Sequence, residues 1–222
     1  MSGQNTTTAP DSLPRTAPTL SEKAYRALSL MIQQRELPSG TPILEVQLAD
    51  YLGISRTPLR QALQRLEGEG LLRKLESRSY VVRQVELKEY LQSLKVREIL
   101  EAEAAALAIG RVDKDAISRA RITVRDVQAR RPYDMLAHWR SDDEVHDLFI
   151  CACGNAVIRD LLHSLRVTTK LFEIERLSER LEPDSRQHEA ILDGLETEDA
   201  AAARTAVVTH LRSLFEFATR IL

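Results

Sequence analysis

The sequence predicts a mainly α protein, with an N-terminal winged helix-turn-helix joined to a C-terminal antiparallel helical bundle. From Glu86 onward, apolar residues recur at helical spacing to the end of the chain. Five of the eight prolines lie within the first 42 residues, which leaves the remainder free to be helical. One short stretch, residues 71–85, breaks the helical pattern and reads as two strands around Glu76-Ser77-Arg78.

The elements follow in order. A first helix over residues 21–35 carries Ala24, Leu28, Met31 and Ile32 on one face. Pro38-Ser39-Gly40-Thr41-Pro42 then breaks the chain. Residues 44–52 form a short second helix, ended by Gly53. Ser55 caps the third helix, and Pro58 sits inside its first turn, where a missing N–H is harmless. That helix turns Leu59, Ala62, Leu63 and Leu66 inward and ends near Gly68 or Gly70. The strands at 71–75 and 79–85 form the wing. A long Ala/Leu/Glu helix over 87–110 opens the second half, and Asp113 caps its successor. A helix over residues 133–153 closes at Gly154, and Asn155 caps the next. Pro183-Asp184-Ser185-Arg186-Gln187 reads as a capping box, with Asp184 as N-cap and Gln187 at the third helical position. Thr197 caps the last helix, which runs to Arg220. Six helices give this half a core of its own. The expected division is therefore a disordered tail over 1–19, a winged helix-turn-helix over 20–85 and a helical domain over 86–222.

Composition narrows the class. The 222 residues are 43% hydrophobic and 29% charged, the balance of a soluble globular chain. No apolar run reaches the ~18–20 residues needed to span a bilayer, so no membrane partner is expected. Residues 1–19 are rich in Ser, Thr and Pro and lack the apolar core of a signal peptide. Cys151 and Cys153 point to different sides of a helix. They read as buried small hydrophobes in a reducing cytoplasm, with no disulfide or metal role.

The net charge of −2 argues mildly against a nucleic-acid partner, but the charge is uneven. Residues 55–83 hold seven Lys and Arg against three Glu, a local charge of +4 on the third helix and wing. The third helix opens with Ser55-Arg56-Thr57-Pro58-Leu59-Arg60. Free N–H groups in its first turn, with Arg and Thr side chains, suit an anionic hydrogen-bonding partner such as DNA. Arg56, Thr57 and Arg60 would face the major groove and phosphates, since Arg reads guanine O6/N7 bidentately. Ser55 combines the cap with a phosphate contact, while Arg73 and Arg78 reach out from the wing. The competing reading is a helix face whose arginines only meet solvent.

A second constellation lies in the bundle. Asp142 and His146, at i and i+4, leave one helix face together. His188 and His210 each come from a later helix. Were the bundle to bring these together, a carboxylate and three imidazoles would suit Zn²⁺, Ni²⁺, Mn²⁺ or Fe²⁺. Asp143 competes for the carboxylate role, His138 is a candidate partner one turn before Asp142, and His163 reads as structural. Against this, a single histidine is more often exposed or a satisfied core residue than a ligand.

The stretch Ser-Arg-Thr-Pro-Leu-Arg-Gln-Ala-Leu-Gln-Arg-Leu-Glu-Gly-Glu-Gly-Leu-Leu, residues 55–72, resembles the winged-helix domain of the GntR transcription regulators. That family's usual form is S-R-T-P-V-R-E-A-L-x-x-L-x-x-x-G-L. The second half resembles the FCD effector-binding domain of the FadR subfamily. It shows an Arg and a Glu on its first long helix (Arg97, Glu101), the run Asp142-Asp143-Glu144-Val145-His146, Cys-Gly-Asn at 153–155, and the later His188 and His210. Val145 replaces the family's Phe, Ser79 stands at the wing position where Gly is usual, and Val46 replaces a basic residue found in some relatives. The resemblance implies a ligand-responsive regulator, most often a repressor, acting as a homodimer on a pseudo-palindromic operator. It implies a divalent metal on Asp142, His146, His188 and His210, and a small organic-acid effector paired with Arg97, for which the competing reading is a surface or interface ion pair with Glu101 or Glu98. The alternative is a metal-dependent enzyme built on the same His/Asp site, for which no general base or nucleophile motif is found.

Overall fold

The computed structural model describes residues 17–76, 79–172 and 176–220. The expected disordered tail lies outside them over residues 1–16, while Thr19 belongs to the first helix as its cap. Helix α1 (Leu20–Gln33) starts where Thr19 Oγ1 accepts the Glu22 N–H at 3.1 Å, and it buries Ala24, Leu28 and Ile32. Helix α2 (Glu45–Leu52) stops at Gly53, whose φ of +63° is the left-handed conformation that glycine adopts without a Cβ penalty. Helix α3 (Arg56–Gly68) buries Leu59, Ala62, Leu63 and Leu66, as its spacing predicts.

The wing differs from expectation. It is a three-stranded antiparallel sheet in the order β1-β3-β2. β2 (Leu72–Lys74) and β3 (Tyr80–Val82) are the predicted pair, both shorter than expected. β1 (Pro42–Ile43) pairs with Val81 and Tyr80 within the stretch read only as a break. Two residues carry no detectable alternation, and Pro42 is tolerated because the strand lies at the sheet edge.

Six helices follow: α4 (Leu87–Leu107), α5 (Lys114–Ala129), α6 (Met135–Ala152), α7 (Ala156–Leu171), α8 (Leu181–Glu196) and α9 (Ala200–Arg220). α4 lies along α9 and against α7, α8 packs on α9, and α5 sits across α6 and α8. Asp113 and Asn155 cap α5 and α7 as expected. Two predicted starts are wrong. A 3₁₀ turn (Leu177–Arg180) runs straight into α8, so Asp184 lies within the first turns of that helix, buried and bonded to Arg180. Thr197 ends α8, and Asp199 starts α9 by accepting the Ala201 and Ala202 N–H groups at 2.9 Å. Cys153 is buried as expected, but Cys151 is exposed. No described helix is long and apolar enough to cross a membrane.

One continuous apolar core runs from α1 to α9. The Tyr90 and Phe172 rings stack within it, 4.3 Å apart. Polar contacts also join the wing half to α7. Arg35 donates to the Lys170 and Leu171 carbonyls at 3.1 and 3.4 Å, and Arg83 donates to Thr168 Oγ1 at 3.4 Å.

Candidate metal centre and nucleic-acid interface

Three helices converge on one point inside the bundle. α6 supplies Asp142 and His146 one turn apart, α8 supplies His188 and α9 supplies His210. The three imidazoles are 0–2% exposed. Their Nε2 atoms lie 3.6, 3.3 and 3.9 Å from Asp142 Oδ1, in the order His146, His188, His210. None of these nitrogens has a hydrogen-bond partner. Leaving a buried polar atom unsatisfied costs ~1–3 kcal/mol, so three of them aimed at one carboxylate oxygen is an arrangement without a purpose in apolar packing. A cation with bonds of ~2.0–2.2 Å keeps its ligand atoms about 3 Å apart, and these four ligand atoms all lie within 4.8 Å of one another. The residues fit a transition-metal ion.

The other ring nitrogens fix the orientation. His146 Nδ1 meets Glu101 Oε2 at 2.6 Å, and His210 Nδ1 meets Gln187 Oε1 at 3.1 Å. An acceptor on Nδ1 holds the proton there and turns the Nε2 lone pair inward. Burial pushes the pKa of His146 below the usual imidazole range, and burial with repulsion from His188 and His146 pushes His210 further down. Both rings are therefore held neutral, the form that binds metal. Burial opposes the charges on Asp142 and Glu101. For Asp142, Arg166 overcomes it, and for Glu101, Arg97 and the His146 hydrogen bond do, so both carboxyls stay ionised well below their ordinary range.

Charged groups surround this centre. Arg166 Nη2 donates to Asp142 Oδ2 and Asp143 Oδ1, both at 2.8 Å. Lys170 donates to Asp143 Oδ2 at 2.6 Å, so Asp143 faces these cations and does not compete for the ligand role. Arg97, only 1% exposed, donates to Glu101 Oε1 at 2.6 Å and to Thr169 Oγ1 at 2.7 Å. Arg97, Asp142, Arg166 and Lys170 line one cavity of ≈ 40 Å³. His138 does not contact Asp142 as anticipated. Its Nε2 lies 3.3 Å from Asp184 Oδ2 and its Nδ1 3.1 Å from the Tyr133 hydroxyl. His163 is exposed and lies 3.6 Å from Asp147. With Cys151 these two form a second, exposed group of ligand types. Partial desolvation and the Asp147 carboxylate raise the Cys151 thiol pKa.

Sequence reasoning missed Arg166 and Lys170, read Gln187 only as part of a capping box, and saw Glu101 only as a family hallmark and an ion-pair partner for Arg97, a pair that does form, buried at 2.6 Å. Arg166 had one faint signal, its place one turn after the buried Leu162 on the inward face of α7.

The α3 surface places Arg56, Thr57 and Arg60 together in solvent, opposite its apolar face. Ser55 occupies the cap position, but its hydroxyl makes no cap hydrogen bond, so the first-turn N–H groups are not taken up by it. Arg60 Nε pairs with Glu45 Oε2 at 2.8 Å. Arg73 is exposed on β2, and Arg78 lies outside the described residues. Gln61 and Gln64 share the exposed face and were missed, although their spacing from Thr57 places them there.

Residues 20–84 match the model of bacterial regulatory proteins of the gntR family. Residues 92–213, more than half of the chain, match the FCD domain. The HTH-type transcriptional regulator YdhC of Bacillus subtilis is 25% identical over 195 residues, covering 84% of this chain and 85% of that one. The HTH-type transcriptional repressor RspR of Escherichia coli is 22% identical over 211 residues, covering 91% and 90%. Among solved structures, E. coli McbR/YncC superposes with a TM-score of 0.76 at 19% identity, covering 91% of this chain and 98% of that one, which shows the shared fold. These matches describe a ligand-responsive, DNA-binding transcription regulator and give the enzyme alternative no support. The chain belongs to the GntR family of bacterial regulatory proteins, as a FadR-type member carrying an FCD domain.

Proposed function

We propose that this regulator is a homodimeric repressor whose grip on its operator is set by a small organic acid bound beside a divalent metal ion. Residues 20–85 act as the reading head and residues 86–222 as sensor and dimerisation domain. The relative RspR is named a repressor, which supports that direction of control. One winged helix makes few base contacts, and two copies on a pseudo-palindrome double them. In each copy Arg56, Thr57 and Arg60 meet the major groove, Ser55 and the first-turn N–H groups of α3 meet a phosphate, and Arg73 reaches from the wing.

The observation that carries the sensor is the set of three buried, unpartnered Nε2 atoms facing Asp142 Oδ1. Asp142, His146, His188 and His210 would hold the ion, and this nitrogen-rich donor set suits zinc, nickel, manganese or iron. When bound, the ion would supply a dipositive anchor, and a metal that takes five or six ligands would have one or two positions beyond the four from the protein. Arg97 offers a buried Nη2 with no partner, and a guanidinium fork matches a carboxylate.

Two measurements test the reading. Elemental analysis of purified protein should find metal that Asp142→Ala and His146→Ala both lose; retention by both variants refutes the site. Arg60→Ala should weaken operator binding by tenfold or more, as loss of a bidentate base contact costs ~1–3 kcal/mol, with metal content unchanged. Unaltered operator affinity in that variant refutes the assignment of α3.

A further inference from the structure

We infer that the cavity beside the imidazoles takes a small dianion with two carboxylates, in preference to a monocarboxylic acid. The inference rests on the metal reading above and deepens it. Its basis is the charge balance of the cluster around the imidazoles, in which Arg97, Glu101, Arg166, Arg180 and Asp184 are buried and Asp142, Asp143 and Lys170 half-buried. Arg97, Arg166, Lys170 and Arg180 are bonded to Glu101, Asp142, Asp143 and Asp184. Four cations thus meet four carboxylates, and the cluster is neutral on its own. A divalent ion adds two positive charges that no described side chain of the cluster offsets. Uncompensated charge away from water is costly, because the surrounding dielectric is low. A monocarboxylate leaves one charge unmatched, while a dicarboxylate matches both.

The hydrogen-bond donors agree with the charge. Arg97 Nη2 and Arg166 Nη1 are buried and have no partner, and both residues line the cavity. A second carboxylate is the group that would take up two such N–H donors together. A cavity of ≈ 40 Å³, against about 10–15 Å³ for one water, favours a short chain. A backbone of three or four carbons is the class that fits.

The test uses metal-loaded, full-length protein and titration calorimetry. Malonate and succinate are each compared with their monoamides, which keep the shape and replace one carboxylate with a neutral amide. Inorganic phosphate serves as a compact dianion. Bound metal is quantified in every sample. At least one of the two diacids should bind tenfold or more tightly than its monoamide. Asp143→Asn removes a negative charge from the cluster and should widen that ratio, and Lys170→Met removes a positive charge and should narrow it. Equal binding of acid and amide by metal-containing protein overturns the inference alone. So does a ratio that both substitutions move in the same direction, or phosphate binding more tightly than either diacid. Protein that holds no metal and binds none of these anions overturns the metal reading and the inference together.

Discussion

At the scale of single residues, an acceptor on Nδ1 orients two of the converging imidazoles, Glu101 for His146 and Gln187 for His210. Glu101 fixes the His146 ring and is itself held by Arg97, so it would act on a bound metal through His146 without touching it. Glu101→Gln keeps the shape and a hydrogen-bond acceptor but removes the charge. Metal affinity should fall by about 10–100-fold, as for other partners of ligating histidines, measured by competition with a chromophoric chelator. An unchanged affinity would leave Glu101 with a packing role only. Acidity acts on the same residues with a definite sign. His146 and His210 have lowered pKa values in the folded chain, so below the ordinary imidazole range the unfolded chain binds protons that the folded one refuses. Metal-free protein should keep its full stability above about pH 6.5 and lose it progressively as pH falls, as chemical denaturation at stepped pH would show. The four residues that converge were legible in the sequence through the family resemblance, because an Asp and a His one turn apart are by themselves common on a helix. The charges around them were not, because Arg166 meets Asp142 only through the packing of α7 on its neighbours.

At the scale of elements, periodicity marked the helices well and their starts poorly. Asp184 and Thr197 are both good capping types, yet one is bonded inside α8 and the other ends it. A cap depends on where the preceding chain turns, and the 3₁₀ turn before α8 has no signature of its own. The two-residue strand β1 escaped for the same reason, since it owes its place to pairing with β3. Gly194 shows what an element-level constraint does to the site. A Cβ there would sit 2.6 Å from the Ala203 backbone N and 2.7 Å from its Cα. A helix interior normally disfavours glycine by roughly 0.5–1 kcal/mol relative to alanine, so this position trades that cost for close approach of α8 and α9. Those two helices carry His188 and His210, whose ring centroids are 4.7 Å apart. Gly194→Ala should therefore lower stability by about 1–3 kcal/mol and weaken metal binding as the helices part. Equilibrium unfolding and a metal titration of the same variant check both. Lost stability with metal affinity intact would place the close approach outside the site's control.

At the scale of the whole molecule, the sensor and the reading head meet at the end of α7. Thr169 and Lys170 line the cavity there, and the Lys170 and Leu171 carbonyls accept hydrogen bonds from Arg35, just beyond α1. The Arg35 guanidinium also lies 5.6 Å from the ring centre of Trp139, another cavity residue. A ligand that draws Lys170 or Trp139 inward thus acts on groups that Arg35 touches, and α1 packs directly on α3. Ligand and operator affinities can be linked only through states that both of them distinguish, and typical couplings of ~1–3 kcal/mol change affinity roughly 5–150-fold. Arg35 has a left-handed φ of +61°, a conformation glycine adopts freely, so Arg35→Gly removes the guanidinium without adding backbone strain. That variant should bind operator without ligand about as well as the parent and bind succinate about as well, yet lose most of the shift in operator affinity that saturating succinate produces. Fluorescence anisotropy on an operator duplex, with and without succinate, reads the shift directly. By linkage the same loss should appear when succinate is titrated with and without operator. A variant that retains the full shift in both titrations would remove Arg35 from the route between sensor and DNA.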